Sequence, residues 1–285
     1  MLMNKIIVAI DFSDCSINAF LHAISIAQHC QSDLILVWVD KSVDEKEKYI
    51  DRKKDPSQDV QKAFEELIAK YQPELPEGKI SFVIRHGKVY KEVTAEAKTN
   101  KAMLIVVGTH GASGFEEFWI GSNANKIVAA SSCPVITIRA GINIAKPLRK
   151  IVVPIDGAEE TRQKASFTAY LAKRHDAEVF VIKLYTSKIK EVRKNVDLYA
   201  SQVIRYFDDE KVKYHVDALD AENISDAMID YAKVIGANLI SIMTEQETTT
   251  ANIFLGPYAH QTVNHSSIPV LSIHPKETLS GTGGF

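Results

Sequence analysis

The stretch Lys5 to Asp11 reads K-I-I-V-A-I-D, and Lys150 to Asp156 reads K-I-V-V-P-I-D, identical at five of seven positions. Near the end of each half a second pair recurs. Ser131 to Ile138 is S-S-C-P-V-I-T-I and Ser266 to Ile273 is S-S-I-P-V-L-S-I, identical at five of eight. The chain is therefore one unit written twice, and each copy must bury its own core. The first pair is offset by 145 positions and the second by 135, so the second copy is about ten residues shorter. The deletion maps to the charged run K-S-V-D-E-K-E-K-Y-I-D-R-K-K-D-P-S-Q after Asp40, for which the second copy has only T-S-K-I-K-E-V-R-K-N. Gly141 and Pro147 punctuate a short linker between the copies. The chain of 285 residues suits two domains of ordinary size, expected at residues 1–145 and 146–285.

One copy reads as alternating strands and helices. Ile6 to Ile10 is a continuous apolar run with β-branched residues, as expected of a strand covered on both faces of a parallel sheet. Ser13 and Asp14 can cap a helix carrying Ala19, Phe20, Ala23, Ile26 and Ala27 at helical spacing. Strands follow at Leu34–Val39, Ile80–Ile84, Met103–Val107 and Val135–Ile138, with helices at Val60–Tyr71, Val89–Ala97 and Asn123–Ala130 between them. The second copy repeats the order. Its strands are expected at Ile151–Ile155, Val179–Leu184, Val212–Val216, Leu239–Met243 and Val270–Ile273. Its helices are expected near Lys164–Lys173, Val192–Phe207 and Ile224–Val234, with one more before the last strand. Such alternation predicts an α/β fold of two tandem doubly wound domains, each with a five-stranded parallel sheet. Ligands of such sheets bind beyond the carboxyl ends of the strands, where Asp11, Val39 and Gly108 all fall.

Composition narrows the partners. Apolar residues make up 46% and charged residues 25%, the mix of a folded globular chain. A formal charge of −2 supplies no bulk attraction to nucleic acid or to an anionic membrane. Cys15, Cys30 and Cys133 show no C-x-x-C spacing and read as reduced thiols rather than a redox or zinc site. The opening residues reach Asp11 too soon for a signal-peptide core or a membrane span, which points to the cytoplasm.

The chemistry gathers after the fourth strand, in Gly108-Thr-His-Gly111-Ala-Ser-Gly114-Phe-Glu-Glu-Phe-Trp-Ile-Gly121-Ser122-Asn123. Glycines allow close backbone approach, and the free N–H groups at a helix start attract phosphate. Glycines after a strand also serve as plain turn residues, and that alternative stays open at this point. Neither G-x-x-x-x-G-K-(S/T) nor a G-x-G-x-x-G following a first strand is present, which disfavours a P-loop NTPase or a dinucleotide dehydrogenase. His110 lacks an evident orienting carboxylate and nucleophile, so it reads as a loop or phosphate contact rather than an acid–base catalyst. No catalytic residue and no metal ligand is assigned. Arg85, near a strand end, is within reach of a phosphate on this reading. Glu116 to Trp119 suggest either a flap or a solvated face. Cys15, in a helix's first turn, reads as a buried structural thiol before a redox sensor. The glycine-rich tail Ser280–Phe285 is assigned no role.

The spacing Gly108-x2-Gly111-x9-Gly121-Ser122, with V-A-I-D at the first strand end, Gly87 before a helix and S-S-C-P-V near the close, resembles the ATP-binding universal stress proteins. The resemblance spans nearly the whole chain and makes it look like a tandem member of that family, of the adenine nucleotide alpha hydrolase-like fold. It implies a nucleotide site in the first domain, for ATP or for AMP or ADP, with Mg2+ as an accompanying ion. Asp11, with Phe12 and Ser13 beside it, would contact ribose or base, and Val39 would hold adenine through its backbone. Gly108, His110 and Gly111 would line the phosphates, and Gly121, Ser122 and Asn123 would take the terminal ones. It also implies pairing of domains through the last strands, Val135–Ile138 and Val270–Ile273, made within the chain, with a homodimer as a further arrangement.

The second copy departs from this pattern. Met243-Thr-Glu-Gln246 stands for Gly108-Thr-His-Gly111, and Gly256-Pro257 for Gly121-Ser122. Side chains replace the close backbone approach, Glu245 adds negative charge, and Pro257 removes a hydroxyl and an N–H. No ATP is expected in this half, although Asp156 leaves room for a base or nucleoside without phosphates. The leading reading is a stress-response nucleotide switch with the second domain as packing partner. A slow ATPase and a nucleotide-free interaction module are the alternatives.

Overall fold

A computed structural model of the chain describes residues 4–40, 56–109, 121–139, 147–244, 246–249 and 252–275. They divide into two compact units, one for each copy of the repeat.

In the first unit, five strands form one sheet: β1 (Asn4–Ala9), β2 (Ser32–Asp40), β3 (Ile80–His86), β4 (Leu104–Gly108) and β5 (Val135–Ile138). Their spatial order is β3-β2-β1-β4-β5 and every pairing is parallel. Ile6, Ile7, Val8, Leu104, Ile105 and Val106 are wholly buried, the expected state of consecutive residues in a strand covered on both faces. Helices α1 (Asp14–Cys30) and α2 (Pro56–Tyr71) cover one face, joined by the edge-on rings of Phe20 and Tyr71 at 5.4 Å. Helices α3 (Val89–Thr99) and α4 (Ser122–Ala130) cover the other. The chain runs outward from β1 to β3 and then resumes on the other side of β1 at β4, so the switch point lies between the carboxyl ends of β1 and β4.

The second unit repeats this plan. Strands β6 (Lys150–Ile155), β7 (Glu178–Tyr185), β8 (Tyr214–Asp220), β9 (Leu239–Met243) and β12 (Val270–Ile273) are ordered β8-β7-β6-β9-β12, again all parallel. Helices α5 (Lys164–His175) and α6 (Lys190–Asp209) share one face, tied by Lys173 to Glu210 at 2.8 Å. Helices α7 (Ile224–Val234) and α8 (Pro257–His265) share the other, where Ser225 and Thr262 hydroxyls meet at 3.1 Å.

The repeated Ser-Ser-X-Pro sequence builds the same turn twice. Ser131 Oγ accepts from Cys133 N–H and donates to the Cys133 carbonyl, and Ser266 Oγ does both with Ile268. The prolines then hand their carbonyls to the neighbouring strand: Pro134 accepts from Ile105 and Pro269 from Ile240, each at 3.0 Å. The motif sets the register of the last strand of each sheet and needs no ligand to explain it.

The structure corrects several expectations. Helix α6 begins at Lys190, two residues before the expected Val192, and α2 begins at Pro56 rather than Val60, so both reach further into the charged segments than expected. The third strand of the second unit begins two residues later than expected, at Tyr214. Between Met243 and Gly256, a span for which no element was expected, β10 (Gln246–Thr249) and β11 (Asn252–Leu255) pair as an antiparallel hairpin. Helix α5 begins at Lys164 as expected, and a 3-10 turn, Glu159–Arg162, precedes it. The charged run 41–55, the linker 140–146 and the tail 276–285 lie outside the described residues.

On α1, the His22 ring is partly buried and its Nδ1 is sealed from solvent with no hydrogen-bond partner among the described residues. Burial therefore lowers its pKa from 6.5 to about 4. The unfolded chain binds the proton first, so stability falls as pH drops from about 6.5 to about 4, by up to ~3 kcal/mol. Urea unfolding followed across that window should show the loss in the native chain and a flatter profile in His22→Gln.

Candidate functional site

The first β-strand ends in a turn built by its own side chains. Ser13 donates from N–H and Oγ to Asp11 Oδ1, at 3.1 and 2.5 Å, and Asp11 N–H donates to Ser16 Oγ at 3.3 Å. Ser13 Oγ also accepts from Ser16 N–H, so it caps α1. Between them Phe12 adopts φ 61°, a left-handed conformation that costs a residue with a Cβ roughly 1–2 kcal/mol. Its ring packs on Phe64 of α2 at 4.8 Å, and Phe64 stacks on Phe82 of β3, which offsets that cost. Asp11, Phe12 and Ser13 thus stand together at the end of β1, as expected.

Val39 contributes backbone. Leu34 N–H donates to Lys79 and Gly87 N–H to the Asp40 carbonyl, so even-numbered residues of β2 bond toward β3. Odd-numbered residues bond toward β1, where Ile10 N–H donates to the Val37 carbonyl at 2.9 Å. Val39 is the next odd residue. Its N–H and C=O face the β1 side just past that last bond, an edge suited to a flat heterocycle with donor and acceptor side by side.

Gly108 closes β4. A Cβ there would lie 2.9 Å from Cys15 Sγ and 3.0 Å from the Cys15 backbone carbon and oxygen. Glycine is required here by the helix that lies against it, whether or not a ligand also comes close. Cys15 itself is buried and its thiol donates to the Ile138 carbonyl at 3.4 Å, the structural role expected of it. Thr109, which sequence reasoning passed over, is the hinge of the region. Its N–H donates to Ile138 and its carbonyl accepts from Gly121 N–H at 2.6 Å, so residues 109 and 121 are joined directly. A signal was available, since threonine recurs at Thr244, whose N–H donates to Ile273 in the same way. A Cβ on Gly121 would meet the Thr109 oxygen at 3.0 Å. Gly121 is also the N-cap of α4 and offers no side-chain oxygen to the helix, which leaves the first N–H groups, at Ser122 and Asn123, directed outward. His110 and Gly111 lie outside the described residues, as do Glu116–Trp119 and Glu245.

Arg85 is not poised for phosphate. Its guanidinium is held by buried Glu96 of α3, with Nη2 at 2.5 Å and Nε at 3.0 Å from Oε2, and Asn100 fills the other carboxylate oxygen. β3 is also the strand farthest from β4 on that side of the sheet, with β2 and β1 between them.

The second unit keeps the turn and changes what surrounds it. Asp156 N–H donates to Thr161 Oγ1 at 3.3 Å and Ala158 N–H to Asp156 Oδ1 at 3.0 Å, the counterparts of the Asp11 bonds. Met243 replaces Gly108, and the first turn of the helix is rebuilt as the 3-10 segment. Lys164 stands where the first copy has Ala19. Its fully buried ammonium donates to Thr161 O and Oγ1 at 2.7 and 2.9 Å. Burial lowers its pKa from 10.5 to about 8, against the opposing charge of Asp156.

The model of the universal stress protein family matches residues 3–139 and 147–274, nearly all of both copies. The chain belongs to the universal stress protein family. Universal stress protein YxiE of Bacillus subtilis is 28% identical over 151 residues, covering 48% of this chain and all of that one. Universal stress protein MJ0531 of Methanocaldococcus jannaschii is 29% identical over 149 residues, covering 48% of this chain and 83% of its own. A crystal structure of a universal stress protein from Archaeoglobus fulgidus shares the fold, with a TM-score of 0.76, 16% identity, and coverage of 96% and 97% of the two chains. Among the described residues no helix of this family member is long and apolar enough to cross a membrane.

Two substitutions probe the difference between the copies. Gly108→Ala should destabilise the first domain by about 1–3 kcal/mol, because the clash is with backbone that cannot turn aside; chemical denaturation measures it. For Lys164, the folded pKa lies below the unfolded one, so stability of the second domain should rise as pH increases from about 8 to about 10.5. Lys164→Met should remove that rise in a denaturation series over the same range.

Proposed function

We propose that the first domain, residues 1–145, binds ATP or a related adenine nucleotide, and that the protein is a cytoplasmic, nucleotide-responsive member of the stress-protein family. Residues 146–285 form a second domain without a phosphate site, serving as the first domain's packing partner. The observation that carries the reading is the contrast at α4 and α8. Both begin at a glycine cap, but α4 continues with Ser122 and Asn123 while α8 continues with Pro257. Only the first keeps a hydroxyl and a complete set of N–H donors, at the end of a Gly-x2-Gly-x9-Gly-Ser spacing beside the switch point.

The residues present fit such a ligand in three parts. The Val39 peptide edge suits adenine, whose amine and ring nitrogen need an acceptor and a donor side by side. Asp11, in the turn after β1 that Ser13 braces, brings a carboxylate suited to accept from a ribose hydroxyl. The α4 amino end, supported by Gly121 and Thr109, suits the phosphates, with His110 and Gly111 from the loop and Mg2+ as the counter-ion.

Pro257 shows that proline fits the first position of this helix, where its missing N–H breaks no internal bond. Ser122→Pro is therefore a substitution the fold should tolerate. A hydrogen bond to a charged group contributes about 1.5–3 kcal/mol, so ATP affinity should fall roughly 10- to 100-fold while the ligand-free melting temperature stays put. Calorimetric titration with Mg-ATP should give one nucleotide per native chain. A native chain that takes up no adenine nucleotide, or a variant that binds as the native does, contradicts the proposal.

A further inference from the structure

In the second domain one helix touches the carboxyl ends of three adjacent strands. Only four residues separate β7 from α6, against fifteen between β2 and α2. The start of α6 is consequently drawn over the sheet edge. A Cβ on Gly157, the residue after the strand-end Asp156, would lie 3.5 Å from Val192 Cγ1, in the first turn of α6. In the first domain the corresponding Phe12 meets Phe64, well inside α2. The glycine has no side chain to bridge a gap, so at this point α6 itself sits close to the chain.

The neighbouring strand ends are held by the next residues of the same helix. Tyr185 and Asp220 are register partners at the ends of β7 and β8, the places of Asp40 and His86 in the first domain. The Arg193 guanidinium lies over the Tyr185 ring, 3.8 Å from its centroid, and pairs with Asp220. One turn further on, Asp197 accepts from Tyr185 Oη at 2.5 Å and from Lys183 Nζ at 3.0 Å. Behind them Arg162 of the 3-10 turn stacks over Tyr199 at 4.7 Å and donates to Gln202 at 2.6 Å. Tyr185 and Val196 are buried beneath this layer.

By the repeat, Leu184 is the counterpart of Val39 and offers the same peptide edge toward β6. We propose that the amino-terminal turns of α6 are a built-in occupant of the second domain's base-binding crevice, clamped over the strand ends by Arg193. The domain is closed by its own helix as well as stripped of its phosphate contacts. The clamp consists of partly exposed ion pairs and one cation–ring contact, interactions that individually contribute little. The closed state is one that a single substitution can loosen.

Hydrogen exchange of the full chain, read by mass spectrometry with and without millimolar adenosine, tests this. Arg193→Gln should raise exchange of amides 190–197 about tenfold or more while amides 200–207 keep their native rates, which shows the domain still folded. The variant should then gain adenosine-dependent protection at 155–158 and 183–186, absent in the native chain. Tyr185→Phe, which keeps the ring under Arg193 and removes only the hydroxyl, should loosen the same amides by a smaller factor. Unchanged exchange at 190–197 in Arg193→Gln, adenosine protection of these peptides in the native chain, or loosening without any gain of protection would each overturn the proposal. The readout comes from second-domain peptides only, so it stands or falls separately from nucleotide binding in the first domain.

Discussion

The organisation of the first domain depends on one close approach, the first turn of α1 lying directly on the end of β4. It is possible only because residue 108 has no side chain. From that contact follow the burial of Cys15, its bond to the Ile138 carbonyl and the position of Ser13 as cap. The Asp11 turn between β1 and α1 is fixed in the same stroke. The helix start, the strand-end carboxylate and the Thr109 hinge all converge on the switch point because the backbone can pass so near itself there. In the second domain a methionine occupies this position and the helix no longer begins as an α-helical turn.

Much of the fold could be read from residue order. The repeated K-I-x-V-x-I-D and S-S-x-P-V segments located the first and last strands of both sheets, because strands buried on both faces must be uniformly apolar. The bounds of β5, β9, β12 and α7 agree with the pattern-based reading to the residue. What escaped it has identifiable causes. The β10–β11 hairpin falls in the span aligned with the first copy's glycine-rich segment, and its sequence, with no alternation of apolar and polar residues, carries no strand signal of its own. The early start of α6 was masked by charge, since a solvated helical turn and a solvated loop share a composition. Arg85 was misplaced because strand position does not reveal which carboxylate lies across the face, and Glu96 comes from a helix eleven residues later.

At the site, the sequence located the strand-end residues and the helix-start residues but could not show how they are tied together. The Ser13 and Ser16 hydroxyls around Asp11 and the bond from Gly121 to Thr109 emerge only in three dimensions. The two copies share the turns that set the frame: Ser131 and Ser266, Thr109 and Thr244, Ser16 and Thr161. They differ in what faces the crevice. Frame and crevice are thus separable, and a duplicated domain can lose one without losing the other.

The buried ammonium of Lys164 gives the second domain a support that the first does not have. Once the helix start is rebuilt around a cation bonded to Thr161, returning glycine to position 243 no longer restores the original contact, because the turn that would lie against it has gone. Replacing the lysine alone leaves the 3-10 turn without its internal donor. The frame of the second domain is thus held by its own buried cation rather than by the close backbone approach that orders the first.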